Sequence, residues 1–135
     1  MAQVFFFDKV KVLQMGITGP QGANQLFIVT GVAAINFQPT LQPGNDWTRV
    51  PLGFLVPDAS GNPLSVGTSL DAACIVYPAT LTSANSSDFG WGVDSAAAIA
   101  TQGDKVEIVA NVVGRIDTNT ILFRIGFHVS ILAII

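Results

Sequence analysis

Few residues in this chain are equipped for chemistry. It holds one histidine, His128, and one cysteine, Cys74. A nucleophilic cysteine needs a base and an electropositive setting, and "AACIVYP" around Cys74 supplies neither. A single cysteine cannot form an intramolecular disulfide, so Cys74 reads as a small apolar side chain facing a core. His128 alone cannot make a histidine-rich metal site. A triad role would need an aspartate and a serine converging on it, and no Gly-x-Ser-x-Gly occurs. Nine residues are acidic, all aspartate except Glu107. "DASGNP" from Asp58 starts like a calcium loop but lacks the spaced ligands and the closing glutamate, and it reads better as a turn. No enzyme, metal or cofactor is expected from these residues.

Two short stretches could hold a ligand by contact. "NSSDFGWGVD" carries Phe89 and Trp91 beside Asp88 and Asp94, and Trp47 stands beside Asn45, Asp46 and Arg49. Aromatics flanked by acidic and amide groups suit stacking on a sugar, yet loop aromatics serve equally as interface anchors. Trp47, Phe89, Trp91, Arg124 and His128 are therefore the candidate interface or ligand-contact residues. "GITGPQGAN" offers three Gly-x-y triplets, too few for a collagen helix. It also lacks the Gly-Lys-Ser/Thr of a phosphate-binding loop, which leaves a glycine-rich turn between two strands.

The elements that would carry these residues are strands. The 135 residues suit one domain spanning 1–135. Apolar residues make up 50% and charged residues 11%, against about 25% charged in an ordinary soluble domain. Runs of Val, Ile, Phe and Thr alternate with Gly/Pro/Asn/Asp breaks. The expected strands are residues 2–15, 26–37, 48–56, 64–69, 72–77, 90–93, 105–117 and 120–134. Residues 94–103, "DSAAAIATQG", fit a short helix or a strand equally. Pro51 marks 48–56 as an edge strand or a bulge. In the first strand Asp8 falls in phase with apolar neighbours, which calls for a buried partner or a bulge near Phe7. The result is an all-β fold, an antiparallel β-sandwich or jelly roll.

The pattern further suggests that 105–117 and 120–134 form one hairpin about Thr118-Asn119. That register opposes Val112 to Ile125, Ala110 to Phe127, Ile108 to Val129 and Val106 to Ile131 on an all-apolar face. The other face, with Glu107, Asn111, Arg124 and His128, is mixed. Residues 26–37, "LFIVTGVAAINF", are apolar on both faces, so one sheet should be covered on its second side by another copy of the chain.

Exclusions follow from the charge. Six basic residues are spread thinly through a chain of net charge −3, which gives no footprint for nucleic acid. The most apolar stretch, "TILFRIGFHVSILAII", is short of the about 20 residues of a spanning helix and contains Arg124 and His128. "MAQVFFFDKVKV" lacks the basic start and unbroken apolar run of a signal peptide. Neither membrane nor signal-directed secretion is expected.

In its low charge and its Gly/Ala/Thr/Asn-rich strands, the whole chain resembles small bacteriophage virion proteins of the capsid decoration or cement type. "FFFDKV" ahead of a β-rich chain also resembles the trimeric C1q/TNF-like jelly rolls, although Tyr77 is the only tyrosine here. The first resemblance implies a structural protein of the virion, made in the host cytoplasm. It would self-associate, as a trimer, and bind a capsid or tail. A carbohydrate-binding module using the loop aromatics is the alternative.

Overall fold

The computed structural model describes residues 3–19, 22–37, 48–83, 90–101, 103–115 and 121–134. Seven strands follow in order: β1 (Gln3–Gly19), β2 (Gly22–Phe37), β3 (Thr48–Leu55), β4 (Thr68–Ser83), β5 (Gly90–Ala100), β6 (Val106–Arg115) and β7 (Ile121–Ile134). They build two antiparallel sheets, here called A (β1-β2-β7-β4) and B (β3-β6-β5). The fold is all-β, as the composition and breaks indicate.

Alternation sets which residues turn inward. Sheet A contributes Phe27, Val29, Ala33 and Ile35 from β2 and Ile125, Phe127, Val129, Ile131 and Ala133 from β7, all buried. Sheet B contributes Val50, Leu52 and Phe54 from β3 and Val106, Ile108 and Val112 from β6. The rings of Phe7, Phe54 and Phe127 meet at centroid distances of 5.4 to 6.0 Å in tilted and edge-on arrangements, geometries that suit the quadrupole of an aromatic ring. These three rings join the sheets, with β1 and β7 on one side and β3 on the other. Among the described residues no polar or charged side chain is buried.

The expected terminal hairpin does not form. β6 lies between β3 and β5, whereas β7 lies between β2 and β4 in the other sheet. The inward sets were assigned correctly but the ladder partners were not. Phe127 stands opposite Gly31, Val129 opposite Val29 and Ile131 opposite Phe27, while Ile108 faces Phe54 and Val112 faces Val50. Two all-apolar faces match across the roughly 10 Å between packed sheets as well as across a ladder, so matching apolar rows do not identify the neighbour. The residue that makes room for Phe127 is Gly31, not Ala110: a Cβ there would lie 2.9 Å from Phe127 Cζ. The Thr118-Asn119 turn lies outside the described residues.

Other boundaries moved for identifiable reasons. Residues 64–69 and 72–77 are not separate strands. β4 is continuous from Thr68 to Ser83, with register shifts at Ser69/Asp71 and Pro78/Thr80. It passes through Pro78 because it is an edge strand, where a missing donor is tolerated. β5 continues past Val93 to Ala100, since pairing with β6 overrides the helix propensity of its alanines. Pro51 does lie on an edge strand, β3. β1 solves its phase conflict with shifts at Val4/Phe6 and Asp8/Lys11, Lys9 taking φ +54°. Val4, Phe7, Val10 and Val12 all pack against the core as a result. Of the glycine-rich stretch, residues 16–19 belong to β1 and 22–24 to β2, with pairing running to Gly19 opposite Gly22; the two residues between them lie outside the described ones.

"DASGNP" is a turn. Asp58 Oδ1 accepts from the amides of Ser60 and Asn62 at 2.8 and 3.1 Å. Gly61 takes φ +86°, a region open to glycine.

Candidate interaction surfaces

The outward face of sheet A can be read rung by rung from its registers. One end carries Ile17, Asn24, Ile134 and Thr68 across the four strands, then Met15, Leu26, Leu132 and Asp71, then Leu13, Ile28, Ser130 and Ala73. Leu13, Met15, Ile17 and Ile134 are 52%, 40%, 37% and 44% exposed. They form one apolar patch with the partly covered Leu26, Ile28 and Leu132. A solvated sheet face would alternate to polar residues at these positions.

The other end of the same face is polar and aromatic. His128 is exposed between Thr30 and Ile75. Tyr77 covers Gly126, where a Cβ would fall 2.1 Å from the ring. Arg124 stands over the Phe6 ring at 5.6 Å and 3.6 Å from Asp8 Oδ2, so Asp8 is half-exposed with a cation rather than buried. Beside this end a cleft of about 470 Å³ is lined by Val4, Phe5, Phe7, Phe54, Ser60 and Pro63.

The outward face of sheet B differs. It carries Arg49, Pro51 and Gly53 from β3, Glu107, Val109, Asn111 and Val113 from β6, and Ser95, Ala97 and Ile99 from β5. Arg49 and Asp94 bridge β6 at 2.6 Å, and Asn111 donates to the Ser95 hydroxyl at 3.0 Å.

The sequence candidates therefore separate. Arg124 and His128 share the outward face of β7, but Asn111, expected beside them, is on the other sheet. Trp91 is in β5, its backbone opposite Gly114, which on its other side faces Thr48. Trp47 and Phe89 lie outside the described residues. The Arg49–Asp94 bridge nevertheless joins the two aromatic stretches that the sequence presents as separate.

Chemistry finds little purchase. Cys74 stands opposite Val129 and packs inward, while His128 points outward, so the two are on opposite faces of sheet A. Burial pushes the Cys74 thiol above its usual range, the reverse of activation. Among the described residues no group of three or more His, Cys, Asp or Glu could hold a metal ion. None of their helices is long and apolar enough to cross a membrane. The patch formed by Leu13, Met15 and Ile17 escaped the sequence reading, which followed the apolar neighbours in phase with Asp8. The signal was there: apolar residues at odd positions run beside an apolar set at even positions.

No protein-family model, curated protein or solved structure matches this chain.

Proposed function

We propose that this protein is structural: a β-sandwich that associates with copies of itself and joins a larger assembly, such as a bacteriophage capsid or tail. The observation that carries the reading is the outward face of sheet A. Its apolar end is half-exposed in a single chain, and apolar patches of this kind mark sites of association. Burial of such surface contributes about 25 cal/mol per Å² before association costs are counted. The low charge fits a surface that is largely covered. Nested pairing of β2 with β7 and of β3 with β6 favours a jelly roll, a fold used in capsid and lectin domains. Partners are protein surfaces rather than nucleic acid or membrane, and the site of action is the virion. Sedimentation at micromolar concentration should show an oligomer; a stable monomer would overturn the reading.

A second reading has one observation in its favour. The Arg49–Asp94 bridge ties together the two aromatic stretches at one end of sheet B, a setting for a sugar. Binding on a glycan array that disappears with Trp91→Ala would support it; no glycan bound would remove it.

A further inference from the structure

A two-sheet sandwich has four sheet edges, and here they are guarded unequally. An edge strand offers a row of unpaired N–H and C=O groups to any passing strand, and proteins blunt it with proline, charge or bulges. β3 carries Pro51 in mid-strand and exposed Arg49. β4 carries Pro78, exposed Asp71 and two register shifts. β5 carries a shift at Val93/Ser95 beside Asp94, and it lies alongside β4. In its first half β1 has two shifts, the left-handed Lys9 and a second lysine, Lys11.

The second half of β1 has none of these. From Lys11 to Gly19 its register with β2 runs without a shift, and no charge or proline stands between those two residues. Among the described residues β1 has a strand partner on one edge only, and no backbone hydrogen bond outside the ladders reaches it. Leu13, Met15 and Ile17 are exposed on one face and Gln14, Gly16 and Thr18 on the other. From Leu13 to Thr18, about 20 Å at strand rise, β1 thus has an edge and both faces uncovered, while Val12 just before packs against the core.

We infer that residues 11–19 of β1 pair antiparallel with the same residues of a second copy, making one eight-stranded sheet across two chains. This rests on the self-association reading and names its surface. The second copy is the occupant because the segment complements itself. An antiparallel pair about a two-fold axis centred on Met15 uses the whole regular stretch. It sets Leu13 opposite Ile17, Met15 opposite Met15 and Lys11 opposite Gly19 of the second copy. Directly opposed residues share a face, so the outward row is apolar from Leu13 to Ile17, the two Lys11 side chains fall at its opposite ends, and no like charges meet. The result is an isologous interface, and assemblies that use it contain an even number of chains, in place of the expected trimer.

The test uses the full chain with Cys74→Ala as background. Met15→Cys should form a covalent dimer on mild oxidation. Leu13→Cys and Ile17→Cys should each fail to cross-link alone and should cross-link when mixed. In the otherwise unaltered chain, Met15→Lys should weaken association by about ten-fold or more, since it sets like charges opposite each other, without changing the melting of the dilute chain. An oligomer that does not cross-link through Met15→Cys and is indifferent to Met15→Lys would overturn the edge pairing and leave self-association standing. So would a native mass of three chains. A monomer at micromolar concentration would overturn both.

Discussion

The outward faces of the two sheets are made from the same kinds of strand and end in different surfaces. Sheet B meets solvent with Ile99 among Gly53, Ser95, Ala97 and the Arg49–Asp94 bridge. Sheet A meets it with Leu13, Met15, Ile17, Ile75 and Ile134. Both sheets bury their inner faces against each other, so core formation alone would leave both outer faces free to be polar. The apolar outer face of sheet A contributes nothing to the inner core. Its cost in solubility needs a use outside the single chain, and association is the use we propose.

The comparison can be broken from the inside first. Phe127 sits at the junction of the sheets, fully buried. Phe127→Ala should cost about 3–5 kcal/mol in urea denaturation; a loss under 1 kcal/mol would mean that the two inner faces do not form one core. Glycines on the two faces of sheet A give a finer contrast. Gly31→Ala drives a Cβ into buried Phe127 and Val10 and should cost about 1–3 kcal/mol. Gly126→Ala meets first the ring of half-exposed Tyr77, which can swing into solvent, so its loss should be the smaller of the two. Equal losses would show that Tyr77 is held as firmly as the core.

Outer-face changes sharpen the contrast at lower cost. Arg49→Ala on sheet B removes a bridge whose side chains are 61% and 43% exposed and should change stability by about 0–1 kcal/mol. Leu13→Thr with Ile17→Thr on sheet A should leave the melting of the dilute chain within about 0.5 kcal/mol of the original while reducing association in sedimentation. Loss of fold instead would mark the patch as part of the chain's own stability.

The smallest effect is electrostatic. The Lys105 ammonium and the Ser65 hydroxyl hold the Asp104 carboxyl below its usual value, with Lys105 Nζ at 3.1 Å. A carboxyl lowered by folding stabilises above its unfolded value, near pH 4, and that contribution is lost as pH falls through the folded value. Asp104→Asn should therefore be slightly less stable than the original at pH 6, the gap closing in strong acid; a gap independent of pH would assign it to packing instead.

Much of the sandwich was legible in the residues. The period of two in β6 and β7 named their inward sides, because a strand sends successive side chains to opposite faces, whereas β2 read as apolar on both. Pro51 announced an edge, and "DASGNP" announced a turn. The surface was harder to read. Leu13, Met15 and Ile17 were hidden by the bulges of β1, which move its inward set from Val4 to Phe7 to Val10 and so break the simple alternation. The proximity of Arg49 to Asp94 depends on β6 lying between β3 and β5, which no local pattern states.

By itself, then, the order of residues determined the class of the fold, which side of each strand is apolar, and that this chain carries more apolar and less charged surface than one domain needs. The tertiary structure alone decided which strand lies beside which, that β6 and β7 face each other from opposite sheets, and which edge and which face are left open. The reason is physical. Side-chain alternation is written in the sequence, but ladder hydrogen bonds are made by a backbone common to all residues, and apolar burial has no direction. Several pairings satisfy the same pattern, and only the packing of the whole chain selects among them.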